Sequence, residues 1–275
     1  MVFTDSHAHL PMVAEELGAA ALDGVLAEYE AAAASASREG RAPPLLLDAG
    51  TDPGDLGARV ELMAPARRSA FLRLSAGVWP SAENLASPVA SLAALESAVD
   101  AARRGGVEIA AIGEGGLDYH HMEGSRAAQV ELFEGQLELA SRLGLPMIVH
   151  SREAFADTLA IVAGAARAGL RVLIHCFGYG SAEARAFLDS GCFVSFAGNL
   201  TYKGADALRE ACAAVPADRL LLETDAPYMN PMPRRGRPGS PLDVCRTYEA
   251  AAALRGAGVE ELAETVSLNA RTLFG

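Results

Sequence analysis

Met147-Ile-Val-His150 and Val172-Leu-Ile-His175 follow one pattern, a run of consecutive apolar residues that ends on a histidine. Between them Ala154–Ala168 is an Ala-rich helical stretch closed by Gly169, the residue favoured at a left-handed helix C-cap. Consecutive apolar positions suit a strand buried on both faces of a parallel sheet. Strand, helix and parallel strand within roughly 30 residues make a βαβ unit.

The same alternation extends in both directions. Strands are expected at Val2–Thr4, Leu45–Asp48, Leu72–Val78, Ile109–Gly113, Met147–Val149, Val172–Ile174, Phe193–Phe196 and Leu220–Leu222. Helices are expected at Ser91–Arg104, Ala127–Leu143, Ala154–Ala168, Ala182–Asp189, Ala205–Ala214, Leu242–Arg255 and Val259–Leu273, with Gly144 and Gly191 as further caps. Strands each followed by a helix, with no linker or break in composition, predict an α/β fold: one closed (β/α)8 TIM barrel spanning residues 1–275, near the roughly 250 residues usual for that fold. A doubly wound open sheet is the alternative, but its Gly-rich phosphate loop is missing after the first strand.

Composition narrows the function classes. With 51% hydrophobic and 21% charged residues the chain has globular rather than disordered composition. A formal charge of −12 excludes a broad basic coat for nucleic acid. Lys203 is the only lysine among 23 cationic residues, which singles it out. The run Ala19–Ala36 is interrupted by Asp23, Glu28 and Glu30, so no membrane span is expected. The N-terminus lacks the pattern of a signal peptide, and Cys176, Cys192, Cys212 and Cys245 form no CxxC pair. These features predict a cytoplasmic protein with no membrane association and no obligate protein partner. Met63, Met122 and Met147 read as core or loop filler.

The polar residues at strand ends carry the chemistry. His7 and His9 form His-x-His after the first strand, and residues two apart on a strand point to one side. From His9 to Glu114 is 105 residues, then 36 to His150, 25 to His175 and 50 to Asp225. At roughly 30 residues per βα repeat, these fall at the C-terminal ends of strands 1, 4, 5, 6 and 8, the catalytic face of a barrel. Loop capping is the competing explanation, but it does not account for five strand ends that each present His, Glu or Asp. Imidazoles suit zinc and related ions, and a carboxylate can bridge two. Four imidazoles and two acids exceed one tetrahedral ion, so two adjacent metals are expected, an arrangement that stabilises attacking and leaving oxygens and activates water.

These blocks resemble the TatD-type metal-dependent deoxyribonucleases of the amidohydrolase superfamily. The resemblance rests on Asp5-Ser-His-Ala-His-Leu10, Ile112-Gly-Glu-Gly-Gly-Leu-Asp-Tyr119, Leu145-Pro-Met-Ile-Val-His-Ser-Arg-Glu153, Ile174-His-Cys-Phe177, Leu221-Leu-Glu-Thr-Asp-Ala-Pro-Tyr228 and Leu268-Asn-Ala-Arg-Thr-Leu-Phe274. It implies a TIM barrel holding two divalent ions (Zn, Mg or Mn). His7, His9 and Asp225 would hold the first, His150 and His175 the second, and Glu114 would bridge them. Asp225 would also orient the attacking water and accept its proton, so Asp225 and Glu114 are the implied catalytic residues. Glu223 is placed to support a ligand from behind or to help hold a third ion. Gly115 replaces a larger aliphatic of the family pattern, and Gly178-Tyr-Gly180 and Arg237-Pro-Gly-Ser-Pro241 also depart from it.

Candidate substrate contacts are Arg152, Lys203, Tyr119 and His120, with Tyr202 as a further aromatic and Arg234, Arg235 and Arg237 on the loop after strand 8. A salt bridge to Glu153 is the alternative for Arg152, a solvated loop for the arginine run, and packing caps for the aromatics. Cys176 is expected to point away from the histidines. The expected function is a divalent-metal-dependent hydrolase, a deoxyribonuclease that cleaves DNA phosphodiester bonds from strand ends with metal-activated water. The alternatives are a hydrolase of a small amide, lactone or ester, and a non-catalytic scaffold. The superfamily's bridging carboxylated lysine has no counterpart here, because Glu114 stands at the bridge and Lys203 lies far from it in sequence.

Overall fold

The computed structural model describes residues 1–62 and 66–275; Met63 lies outside them. Eight parallel strands follow one another in chain order: β1 (Asp5–Ala8), β2 (Leu46–Asp48), β3 (Leu72–Ala76), β4 (Ala111–Asp118), β5 (Met147–Arg152), β6 (Val172–Ile174), β7 (Phe193–Phe196) and β8 (Leu220–Leu222). The ring closes from the end of β8 onto β1. Asp225 N–H donates to His7 O (2.9 Å), His9 N–H to Ala226 O (2.8 Å) and Ser6 Oγ to Leu222 O (3.1 Å). The fold is the (β/α)8 barrel that the alternation predicts.

Helices occupy every connection: α1 (Leu10–Leu17) and α2 (Ala19–Arg38), α3 (Leu56–Glu61), α4 (Ala82–Leu85) and α5 (Pro88–Arg104), α6 (Arg126–Leu143), α7 (Phe155–Arg167), α8 (Ser181–Asp189), α9 (Asp206–Ala214), then α10 (Val244–Arg255) and α11 (Val259–Phe274). Ser81 and Ser125 cap α4 and α6 by accepting from Asn84 N–H and Ala128 N–H, and Gly144 ends α6 in the left-handed region. Strand residues such as Leu47, Leu74, Ile148 and Leu221 share one buried cluster with Leu95, Phe133, Val162 and Phe187 of the helices. Each fully buried side chain of this kind stabilises the fold by about 1.5–3 kcal/mol. Among the described residues no helix is long and apolar enough to cross a membrane.

Several strand boundaries differ from expectation, and those of β1 and β4 shape the site. The first strand is Asp5–Ala8 rather than Val2–Thr4. Phe3 O and Thr4 O accept the hydroxyls of Tyr29 and Tyr248, so these residues anchor helices instead of pairing with a strand. Asp5 and Ser6 are buried polar residues whose bonds to Thr224 and Leu222 stitch β1 to β8 and the residues just after it. The fourth strand is Ala111–Asp118 rather than Ile109–Gly113, so Glu114 lies inside it and not at its end. Likewise β5 continues past Val149 because β4 runs beside it, pairing Gly116 with His150 and Asp118 with Arg152. β3 stops at Ala76, since the amide of Gln136 takes both the N–H and the C=O of Val78.

β4 carries one extra residue against β5, because Ile112 pairs with Met147 and Gly115 with Val149. Such a bulge re-aims a side chain, and here it re-aims Glu114, whose N–H donates to Gly50 O at 2.7 Å. β1 has the same one-residue excess over β2 between Asp5 and Ala8, across His7. Gly116 must be glycine: φ is +149° and a Cβ would lie 2.0 Å from His150 O. At Gly115 the room that an aliphatic would need is taken by Gln136, whose Nε2 would lie 2.5 Å from a Cβ there.

Arg59 organises the neighbouring strand ends. It is only 1% exposed; its Nε donates to Asp48 Oδ2 (2.8 Å), Nη2 to Asp48 O (2.5 Å) and Nη1 to Ser75 O (3.0 Å), while Asp48 Oδ1 accepts Leu10 N–H (2.9 Å). Removing one partner strands a buried charge. Arg59→Ala is therefore expected to lower the unfolding free energy by about 3–5 kcal/mol in denaturant titration. Arg142→Ala, which breaks an exposed pair with Glu96, is expected to cost less than about 1 kcal/mol. Equal losses would contradict the role given to Arg59.

Candidate metal centre

Six side chains from five strands converge at the C-terminal end of the barrel. His7 comes from the bulge in β1, His9 from just beyond it, Glu114 from the bulge in β4, His150 from β5, and His175 and Asp225 from the residues after β6 and β8. Glu114 is at their centre, and its two carboxylate oxygens face different partners. Oε2 lies 3.1 Å from His7 Nε2 and 3.5 Å from His9 Nε2. Oε1 lies 3.0 Å from both His150 Nδ1 and His175 Nε2. Asp225 Oδ1 completes the first group, 3.4 Å from His9 Nε2 and 3.8 Å from His7 Nε2.

The far sides of the rings are held as well. His9 Nδ1 lies 3.1 Å from Ala49 O, and His150 Nε2 lies 3.0 Å from Asp118 Oδ2. Asp118 is itself fixed by His121, through its N–H (2.8 Å) and its ring (2.9 Å). His175 Nδ1 lies 3.4 Å from Glu223 Oε1. Glu223 is committed elsewhere too, accepting Cys176 N–H at 2.7 Å and Ser195 Oγ–H at 2.5 Å, so it supports His175 from behind. Among the described residues, Glu223 with His7 and His175 also forms a further group close enough to hold an ion.

The charges are strongly coupled. Burial acts to raise the Glu114 carboxyl, but His175, His150 and His7 outweigh it and hold the group well below the usual carboxylate range. Burial acts to lower His175, yet Glu114 and Glu223 lift it well above an ordinary imidazole. His7 goes down, through burial and the neighbouring His175. Burial would raise Asp225, but His9 and His7 bring it below its usual value.

The donor set fits divalent cations. The His7 and His175 rings stack 4.0 Å apart at 9°, and both present Nε2 to the same buried carboxylate. His150 faces a carboxylate from each nitrogen, Glu114 Oε1 at Nδ1 and Asp118 Oδ2 at Nε2, so only its charged form could donate to both, and protonating the stacked His7 and His175 rings as well would place like charges in contact. Divalent cations held by these groups would balance the buried carboxylates without that repulsion, and among the described residues no lysine or arginine pairs with Glu114 or Asp225. His7 Nδ1 is buried without a hydrogen-bond partner, as a ring engaged only through Nε2 would leave it.

The cluster is at the base of a cavity of about 860 Å³. Four of the five non-glycine residues with positive φ among those described (Glu153, Cys176, Asp225 and Met229) line it, and such strain concentrates at functional sites. Cys176 lines the cavity rather than pointing away, and burial pushes its thiol well up. Arg152 also lines it. Tyr119 and His120 are not among the residues that line it. Tyr119 Oη donates to Asp157 (2.7 Å) with Arg126 over its ring, and His120 Nδ1 pairs with Glu153 (2.7 Å). Lys203 is exposed on the loop after β7, and Tyr202 beside it lies under Arg235 at 4.4 Å. The sequence reading passed over Trp79, His121, Asn199 and Tyr228, all of which line the cavity. Trp79 is the chain's only tryptophan and Tyr228 closes a quoted motif, which were the available signals.

The sequence matches the TatD related DNase family over residues 4–275. It is 36% identical over 274 residues to YcfH of Escherichia coli K12, described as an uncharacterized metal-dependent hydrolase, a match covering 100% of this chain and 96% of that protein. It is 38% identical over 172 residues to a 3'-5' ssDNA/RNA exonuclease TatD of Erwinia amylovora, covering 61% of this chain and 66% of that protein. The crystal structure of YjjV, a TatD homolog of Escherichia coli K12, superimposes with a TM-score of 0.79 at 27% identity, covering 99% of this chain and 97% of that one.

Loosening the support of one ring should weaken ion binding without removing a ligand. Asp118→Ala frees His150 Nε2 and is expected to weaken Mn²⁺ affinity about 10–100-fold in calorimetric titration of the metal-stripped protein. Asp157→Ala, which frees only Tyr119, leaves it unchanged. Unaltered affinity in Asp118→Ala would show that His150 needs no such support.

Proposed function

This chain belongs to the TatD related DNase family, and on that premise we propose that it is a deoxyribonuclease that trims single strands from their ends. Proteins of this family are metal-dependent hydrolases, and DNA is the substrate that this proposal adds. The observation that carries it is the division of Glu114's two oxygens between two groups of ligands. Divalent ions bound there would supply Lewis-acid polarisation of the scissile bond and activation of water. His7, His9 and Asp225 would hold one ion, His150 and His175 the other, with Glu114 shared.

The chain's own groups supply the remainder. Asp225, 8% exposed at the cavity floor, is the acceptor for the proton of the attacking water. Its left-handed backbone is pinned by Asp225 N–H donating to His7 O (2.9 Å) and by Tyr228 N–H donating to Asp225 O (2.8 Å). Arg152, on the cavity wall, meets a phosphate oxygen. Lys203 and the exposed Arg234, Arg235 and Arg237 share one rim. The loops that carry them are joined by Met232 N–H donating to Thr201 Oγ1 (2.8 Å) and Tyr202 Oη donating to Asn230 O (3.0 Å). That rim gives a polyanion a local path across a chain of net charge −12. A cavity with a cationic rim suits the end of a strand, with the remainder lying outside. Two relatives, from Erwinia amylovora and Pantoea vagans, are named 3'-5' ssDNA/RNA exonucleases, which supports action on the ends of single strands.

The test is release of mononucleotides from end-labelled single-stranded oligonucleotides in Mg²⁺ or Mn²⁺. EDTA should abolish it, and Asp225→Ala should lower it about 10²–10⁴-fold. In the same assay Lys203→Ala should reduce the salt dependence of binding by roughly 0.7 in log–log slope. Equal activity in wild type and Asp225→Ala, or cleavage of small esters without phosphodiester cleavage, would contradict the proposal.

A further inference from the structure

Two aromatic side chains in the cavity have no place in the chemistry above, and their positions relative to Glu114 are complementary. Trp79 is half-buried in the loop after β3, with its backbone fixed from three sides: its N–H donates to Thr51 O (2.9 Å), and its carbonyl accepts Ser81 N–H (2.8 Å) and Asn84 Nδ2–H (2.9 Å). Its ring stands edge-on to His150 (5.9 Å, 72°) and His121 (6.1 Å, 68°). Tyr228, in the loop after β8, is 54% exposed; its ring is edge-on to His9 (6.1 Å, 70°) and its Oη is 3.6 Å from Met12 Sδ. His150 faces Glu114 Oε1 and His9 faces Glu114 Oε2. The two aromatics therefore flank opposite ends of the ligand cluster, and both line the cavity.

A core aromatic buries its ring, whereas Tyr228 leaves more than half its surface open and Trp79 is held from its backbone. Each ring already packs edge-on against one of the clustered histidines before anything binds, so less entropy is lost when a flat group stacks on it. A phosphodiester seated across Glu114 would direct the groups on its two sides toward these two rings.

We propose that Trp79 and Tyr228 are base-stacking platforms, one on each side of the scissile phosphate. This inference rests on the nuclease reading and deepens it by naming the substrate class at the two subsites, unpaired nucleobases. A paired base offers its faces to its neighbours in the helix, so the platforms require single-stranded ends. Because every base has a π face, they tolerate any sequence.

The only tryptophan in the chain makes this directly readable. Metal-loaded protein is titrated with a phosphorothioate oligothymidylate, which resists cleavage, and with an abasic oligomer of equal length, while tryptophan emission is followed. Saturable quenching by the thymidylate and not by the abasic oligomer is the expected result. Equal quenching by both, or none, while ordinary oligothymidylate is cleaved overturns the stacking and leaves the nuclease reading standing. No cleavage of oligothymidylate overturns that reading and the stacking with it. In kinetics, Trp79→Ala and Tyr228→Ala should each reduce the kcat/KM preference for base-bearing over abasic strands by roughly 5- to 150-fold. Trp79→Phe should retain most of it. A loss shared equally by both substrates would mark a structural role and overturn the proposal.

Discussion

The arrangement depends on one carboxylate. Glu114 is 4% exposed, and four imidazoles meet its two oxygens within 3.0–3.5 Å. An isolated buried carboxylate would be costly enough to take up a proton instead. Here the surrounding histidines keep it charged, and its charge in turn lifts His175. Removing Glu114 would leave two pairs of rings with nothing between them. Every strand that supplies a ligand is aimed at this point.

A regular strand would not achieve that aim. The extra residue in β4 turns Glu114 inward, and the matching irregularity in β1 falls at His7. Asp225 is held in a left-handed conformation that most side chains avoid, fixed by bonds to His7 O and Tyr228 N–H. Such conformations persist only where the surroundings over-determine them. The surroundings here are the apolar contacts between strands and helices and the Arg59–Asp48 pair, which joins the ends of β2 and β3 to the start of α1. Stability in the core and at the neighbouring strand ends thus permits strain at the site.

Much of this was legible in the sequence, and the reasons differ by residue. β6, β7 and β8 match their expected bounds because each is a short apolar run, the signal that a doubly buried strand leaves. β1 and β4 were misplaced because the residues that pair are polar or glycine: Asp5, Ser6 and the Gly113–Gly116 segment. Buried polar groups satisfied from across the barrel, as Asp5 is by Thr224, carry no hydrophobic signature. Spacing brought the six histidine and carboxylate candidates to one face, but it could not divide them between the oxygens of Glu114, which a bulge determines. The surroundings of the cluster were least legible. Tyr119 and His120 follow the Glu114 motif in sequence, yet they bond to Asp157 and Glu153 and do not line the cavity, while Trp79 and Asn199 line it from segments with no such motif.

The most direct measurement is the number of ions that Glu114 holds. Metal-stripped wild type and Glu114→Gln, which keeps the shape of the side chain but removes its charge, are dialysed to equilibrium against Mn²⁺, and bound metal is counted per chain. Wild type should retain two ions, and Glu114→Gln should lose at least one and bind the other more weakly while its melting in the metal-free state remains cooperative. Equal counts and affinities in the two proteins would contradict a bridging Glu114.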